Sequence, residues 1–209
     1  MRNSTYGKLN DLYQKYTGYI GTRELLEEGF TNRQIAALTE EEYLEKICHG
    51  YYWMIRCGHS KPMDYKCIEV SLSNPRAVIC LESACFYQGA ARQEPEALAV
   101  ATERTDRSLM KMNFPVERHY FSPNYYKVAQ KKIDTVFGSY RIYDVERSIC
   151  DLIRLGKVKE AEAICSETGY GAMHFDAISH ADGKDMEREE YQRLLKYAEL
   201  FRVRKNFMQ

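Results

Sequence analysis

The chain has 209 residues, with 30 Lys and Arg against 30 Asp and Glu and no net charge. That balance excludes a protein that coats nucleic acid by charge alone, because phosphate neutralisation needs a basic surface. A hydrophobic share of 44% and a charged share of 29% fit an ordinary globular chain of one large or two small domains. No window approaches the roughly 18 apolar residues of a membrane span, and the opening MRNSTYGKLNDLY lacks the apolar core of a signal peptide. A cytoplasmic protein without a membrane partner is therefore expected. Seven cysteines without a C-x-x-C pair read as reduced small hydrophobes, with Cys67, Cys80, Cys85, Cys150 and Cys165 set among apolar neighbours. The five histidines lack metal-ligand spacing, so neither a metal nor a cofactor is expected.

In chain order, residues 4–17 place Leu9, Leu12, Tyr13 and Tyr16 on one helix face, closed by Gly18. Tyr19-Ile20 reads as a short extended piece. Thr22 is the expected N-cap of a second helix that buries Leu25 and Leu26, and Gly29 makes the following turn. Thr31 is the expected cap of a third helix with Ile35, Ala36 and Leu38 inward and Asn32, Arg33 and Gln34 outward. Tyr43 to Trp53 reads as a two-stranded ribbon turning at His49-Gly50. This order of helix, turn, helix and ribbon is that of a winged helix-turn-helix over residues 1–58. Cys57 to Asp64 reads as a linker before a second domain at 63–209.

The second domain is expected to be mixed α/β, making the whole chain α+β. A helix is predicted over Met63–Leu72, stopped by Asn74-Pro75. Arg76–Tyr87 reads as a buried helix because it is apolar almost all round. Strands are predicted at Leu98–Thr102 and Glu117–Phe121, and a hairpin at Ile133–Tyr143 turning near Gly138. Asp144 is expected to cap a helix running to Leu155 and ending at Gly156. Lys157–Cys165 reads as helical, Thr168–Gly183 as a loop, and Met186–Phe207 as a long amphipathic helix. A small sheet and a long C-terminal helix thus define the expected second domain.

In a helix-turn-helix the second helix presents its N-terminal residues to base edges. Asn and Gln pair with adenine and Arg with guanine, which makes Asn32, Arg33 and Gln34 candidate base readers. Thr31 at the helix N-terminus suits a phosphate. Arg23, Lys46, His49, Tyr51 and Arg56 are candidate backbone contacts. Against this, residues 1–58 hold seven Lys/Arg and eight Asp/Glu, with Glu40, Glu41, Glu42 and Glu45 clustered after the third helix. A DNA reader usually carries a basic footprint, so a protein-interaction module without DNA binding is the alternative.

A second constellation is Asp144-Val-Glu-Arg-Ser-Ile-Cys-Asp-Leu-Ile-Arg154. Arg147 with Asp151, and Asp151 with Arg154, stand four and three apart on a helix and can meet. The simpler reading is a helix capped by Asp144 whose charges tie neighbouring elements; the functional one is an electrostatic site. A divalent-metal nuclease is a third alternative, through Asp134 and Glu146. It lacks the acidic pair and lysine pattern that holds Mg²⁺. No phosphate-binding glycine loop and no G-x-S-x-G elbow is present, so no catalysis is expected.

Five segments taken together carry a resemblance: YIGTRELLEEGFTNRQI, LEKICHGYYW, NPRAVICLESACFYQG, YRIYDVERSICDLIR and YQRLLKYAELFRVR. In this order the chain resembles, over about residues 4–205, the AbiEi-type antitoxins and transcriptional regulators of bacterial abortive-infection systems. The resemblance implies an N-terminal winged helix-turn-helix that binds its own promoter and a C-terminal domain required for antitoxin activity. It also implies a nucleotidyltransferase-like toxin as partner. Thr31 to Gln34 match the start of the recognition helix, Lys46 to Tyr51 the wing, and Glu146, Arg147, Asp151 and Arg154 the second-domain motif. The chain departs from the family between recognition helix and wing, where a glycine is common. Here the stretch Leu38–Leu44 has none, so the turn is made differently or the helix runs longer.

Overall fold

The computed structural model describes residues 3–56, 58, 60–167 and 188–200. Among them the chain is mixed α+β, with two sheets and a helix near the C-terminus. It forms two compact units that share the chain. The first comprises Met1–Arg76, Arg107–Phe114 and Ile133–Tyr140, and the second Ala77–Asp106, Pro115–Lys132 and Arg141–Gln209. The first unit therefore takes in more than residues 1–58. No helix among the described residues is long and apolar enough to cross a membrane.

In the first unit, α1 (Asn3–Lys15) buries Leu9 and Leu12, the stripe its spacing predicts. Gly18 then turns the chain with φ +95°. A Cβ there would lie 2.2 Å from the Trp53 ring, so both the backbone angle and the packing require glycine. Strand β1 (Tyr19–Gly21) leads directly into α2 (Thr22–Glu27). Thr22 is the first residue of this helix, not its cap. Gly21 holds the cap position, and the Thr22 hydroxyl donates instead to the Gly50 carbonyl at 3.2 Å. Leu25 is fully buried whereas Leu26 is exposed, so only one of the expected pair enters the core.

Gly29, at φ +82°, makes the turn to α3 (Asn32–Glu40). Ile35 and Leu38 bury, and Ala36 faces out. The missing glycine after α3 is replaced by Glu42 in the left-handed region, at φ 58°. A non-glycine residue there costs about 1–2 kcal/mol. Strands β2 (Leu44–Cys48) and β3 (Tyr51–Met54) form the expected ribbon, with β1 added on the other side of β3. All pairs are antiparallel, and the register of β2 slips between Lys46 and Cys48. Leu9, Leu12, Ile20, Leu25, Phe30, Ile35, Leu38, Leu44 and Trp53 close one core. Helix α4 (Tyr65–Ser73) follows. Its Glu69, 1% exposed, pairs with Lys61 at 2.8 Å and accepts from the Tyr19 hydroxyl at 3.1 Å.

The segment expected as one helix over Arg76–Tyr87 is instead strand β4 (Val78–Ile79) followed by α5 (Leu81–Tyr87). A short apolar run fits a core strand or a buried helix equally. Here Val78 and Ile79 lie between β5 (Leu98–Glu103), antiparallel, and β8 (Gly138–Tyr143), parallel. Leu81, at φ 53° and fully buried, makes the sharp passage from strand to helix. Strand β6 (Val116–Phe121) pairs in parallel with β5. A short helix α6 (Pro123–Tyr126), absent from the sequence reading, precedes β7 (Gln130–Thr135). The sheet order is β6-β5-β4-β8-β7.

Helix α7 (Val145–Arg154) begins at Asp144, whose carboxylate accepts from the Arg147 amide at 2.8 Å, as its position predicts. Gly156 follows at φ +79°, and α8 (Val158–Glu167) and α9 (Arg188–Leu200) complete the second unit. Its core gathers Val78, Cys85, Ala99, Phe121, Tyr143, Ile149, Leu152, Ile164 and Leu194. Six cysteines are buried and reduced, Cys67, Cys80, Cys85, Cys150 and Cys165 among them, and Cys57 lies outside the described residues. The loop expected over 168–183 and the continuation of the last helix beyond 200 also lie outside them.

Candidate nucleic-acid interface and the buried arginine of the second unit

Helix α3 opens on a reciprocal cap. The Gln34 amide donates to the Thr31 hydroxyl oxygen at 3.3 Å, and the Gln34 side-chain oxygen accepts from the Thr31 amide at 2.8 Å and its hydroxyl at 3.0 Å. This geometry satisfies two orphan donors of the first turn. Thr31 and the Gln34 side-chain oxygen thus hold the helix end. Asn32 and Arg33 remain exposed, and neither is held by a hydrogen bond or ion pair among the described residues.

The other expected contacts differ in freedom. Lys46 on β2 and His49 at the ribbon turn are exposed. Tyr51 is half-buried on β3, opposite Gly21. Arg56 is exposed, its guanidinium 3.9 Å from the centre of the Tyr43 ring. Arg23 pairs with Glu27 one turn along α2 at 2.9 Å, in open solvent where such a pair is weak and easily exchanged. Glu40, Glu41 and Glu42 are exposed after α3, with Glu41 accepting from the Tyr6 hydroxyl at 2.6 Å.

The sequence reading missed the segment Arg107–Phe114, which belongs to the first unit. The Asn113 side-chain amide donates to the Lys46 carbonyl at 3.3 Å, along the outer edge of β2. The Asn74 amide donates to the Ser108 hydroxyl at 2.8 Å, and Phe114 meets the Tyr65 ring edge-on at 6.0 Å. A groove of about 510 Å³ results, lined by Lys46, His49, Ser73, Leu109, Lys111 and Asn113 with Cys48 beneath. No periodicity in RSLMKMNF announces this placement, which depends on long-range pairing to an edge strand.

The second-domain motif is a buried network. Arg147 and Asp151 have no exposed side-chain surface and are joined at 2.7 Å. Arg147 also donates to the Tyr125 and Val128 carbonyls at 2.8 and 2.9 Å, and its guanidinium lies 4.3 Å from the centre of the Tyr143 ring. Arg154 pairs with Asp151 at 3.1 Å. Glu146 accepts two bonds from Arg193 of α9, at 2.9 and 2.7 Å, and Tyr197 donates to Asp144 at 2.9 Å. Burial pushes the Asp151 carboxyl up, and its two arginines pull it back. Burial likewise raises Asp144, against the bond from the Arg147 amide. These residues tie α6, α7 and α9 together, so the arrangement is that of a structural joint.

On β6, His119 lies 3.3 Å from Glu117, and burial lowers its imidazole below the ordinary value. Among the described residues no three His, Cys, Asp or Glu side chains converge as metal ligands would.

No protein-family model matches the chain, and no curated protein matches it. Among solved structures, the Rv2827c protein of Mycobacterium tuberculosis is similar in fold, with a TM-score of 0.60 at 12% identity. The similarity covers 95% of this chain and 75% of that one.

Proposed function

We propose that the chain is a DNA-binding transcriptional regulator whose first unit is a winged helix-turn-helix. In this reading α2 and α3 are the helix pair, α3 enters the major groove, and β2 with β3 is the wing. The observation that carries it is the capped N-terminus of α3, which leaves Asn32 and Arg33 exposed, with no partner among the described residues, where a recognition helix places its base-reading side chains. Lys46 and His49 on the adjoining ribbon add cationic and hydrogen-bonding groups for phosphates. The motif resemblance extends the proposal to an antitoxin that represses its own operon and counteracts a nucleotidyltransferase-like toxin.

Gel-shift titration tests the regulator reading. The purified chain is expected to bind the DNA upstream of its own coding sequence more tightly than a scrambled duplex, with affinity falling steeply as salt rises. Equal, salt-insensitive affinity for both duplexes overturns it, as does no binding to either. The second reading, a protein-interaction module, is favoured by one observation, the exposed carboxylates of Glu40, Glu41 and Glu42 at the end of α3. Co-purification of a partner that is lost on reversing these charges, with no DNA affinity, is the outcome that selects it.

A further inference from the structure

The groove beside β2 is lined by side chains from three separate stretches of the first unit, and its charge has one sign. Lys46 and His49 come from the ribbon, Ser73 from the end of α4, and Lys111 and Asn113 from the segment Arg107–Phe114. Among the described residues no carboxylate lines it. Glu45, the acidic neighbour of Lys46, is drawn to Lys61 at 2.9 Å. The polar set of two ammonium groups, an imidazole, a hydroxyl and a carboxamide is rich in donors that suit phosphate oxygens.

The segment carrying Lys111 is held in place at intervals. Ser108 is held by Asn74, Met112 packs against the core of Leu44 and Trp53, Asn113 bonds to Lys46, and Phe114 meets Tyr65. Exposure alternates along it, so that Leu109, Lys111 and Asn113 face outward between inward neighbours. The Asn113 bond to the Lys46 carbonyl therefore sets Lys111 beside the ribbon that is the wing in the proposed function.

We propose that this groove is a phosphate-binding site for the DNA backbone, in which Lys111 works with Lys46 and His49 to extend the contact of the wing. The proposal rests on the DNA-binding reading and deepens it. A residue far from the helix-turn-helix in sequence becomes part of the footprint. The contact is to phosphate, so it anchors the duplex without reading its sequence.

The test measures affinity against salt for the whole chain, using a duplex of the DNA upstream of its own coding sequence and a scrambled duplex of the same composition. Lys111→Ala is expected to lower the magnitude of the log-affinity against log-salt slope by about 0.9, the value for one released phosphate contact. The change should be equal for both duplexes, and Lys111→Arg should restore the slope. Lys159→Ala, which alters an exposed lysine of α8, should leave the slope unchanged. An unaltered slope for Lys111→Ala, while Arg33→Ala weakens binding to the upstream duplex, overturns the groove and leaves the regulator reading standing. Absence of DNA binding by the unsubstituted chain overturns both.

Discussion

Helices α3 and α7 both begin on a side-chain cap and carry an arginine within their first three residues, yet the two arginines live in opposite settings. Arg33 is exposed and held by nothing among the described residues. Arg147 has no exposed surface and meets a carboxylate, two carbonyls and two aromatic rings. A charged side chain whose donors are already used inside the protein contributes to folding, whereas one left in solvent is available to a ligand. Sequence spacing alone does not separate the two cases. Burial and partner geometry do.

The largest effect expected from this contrast is on stability in the second unit. Arg147→Ala strips Asp151 of its closest ion-pair partner and removes the guanidinium bonds to the Tyr125 and Val128 carbonyls. Breaking such a buried pair costs about 3–5 kcal/mol. Urea denaturation followed by far-UV dichroism measures it, and a loss below about 1 kcal/mol breaks the contrast. Arg33→Ala is the converse experiment. It should weaken specific DNA affinity by about 1–3 kcal/mol and leave the urea midpoint in place. A shifted midpoint with unchanged affinity would make Arg33 structural after all.

Thr31→Ala sharpens the comparison from between the extremes, because Thr31 holds the end of the very helix proposed to meet DNA. Loss of the reciprocal cap with Gln34 should cost about 1 kcal/mol, read from the same denaturation curves. The smallest effect concerns pH. Burial holds His119 below its ordinary value of 6.5, so the folded state binds fewer protons than the unfolded chain around that pH. Its contribution is present above about pH 6.5 and is lost as pH falls through the folded value. His119→Asn should flatten this stretch of the stability profile by less than about 0.5 kcal/mol, the scale of a partly solvated charge. A variant profile parallel to that of the unsubstituted protein would remove His119 as its source.

The elements legible in the sequence are those whose cause is local. The Leu9 and Leu12 stripe, the turns at Gly18 and Gly29, the cap at Thr31 and the cap at Asp144 each follow from residues within a few positions. Thr22 departs from the expected cap because cap-forming residues also occupy first turns, and its hydroxyl bonds the distant Gly50 carbonyl. Strand β4 reads as helix in the sequence because the apolar run Ala77–Leu81 carries no usable period, and sheet pairing decides the outcome. At the candidate site, Asn32 and Arg33 were readable from helix position. The second role of Gln34 needed its side-chain geometry, and the place of Lys111 and Asn113 depends on an edge strand more than sixty residues earlier in the chain. The buried state of Arg147 followed from the carbonyls at Tyr125 and Val128, which no helix spacing reveals.

The interleaving of the two units along the chain has a consequence for synthesis. The Trp53 ring of the first unit packs against Phe137 at 6.1 Å, and the Thr17 hydroxyl donates to the Val136 carbonyl at 2.7 Å. At about 5–20 residues per second, the ribosome delivers Phe137 several seconds after Trp53. Throughout that interval the nascent first unit lacks the Phe137 ring that packs on Trp53. It completes only after most of the sheet strands of the second unit have already emerged, so maturation of the two units is coupled in time by the path of the polypeptide itself.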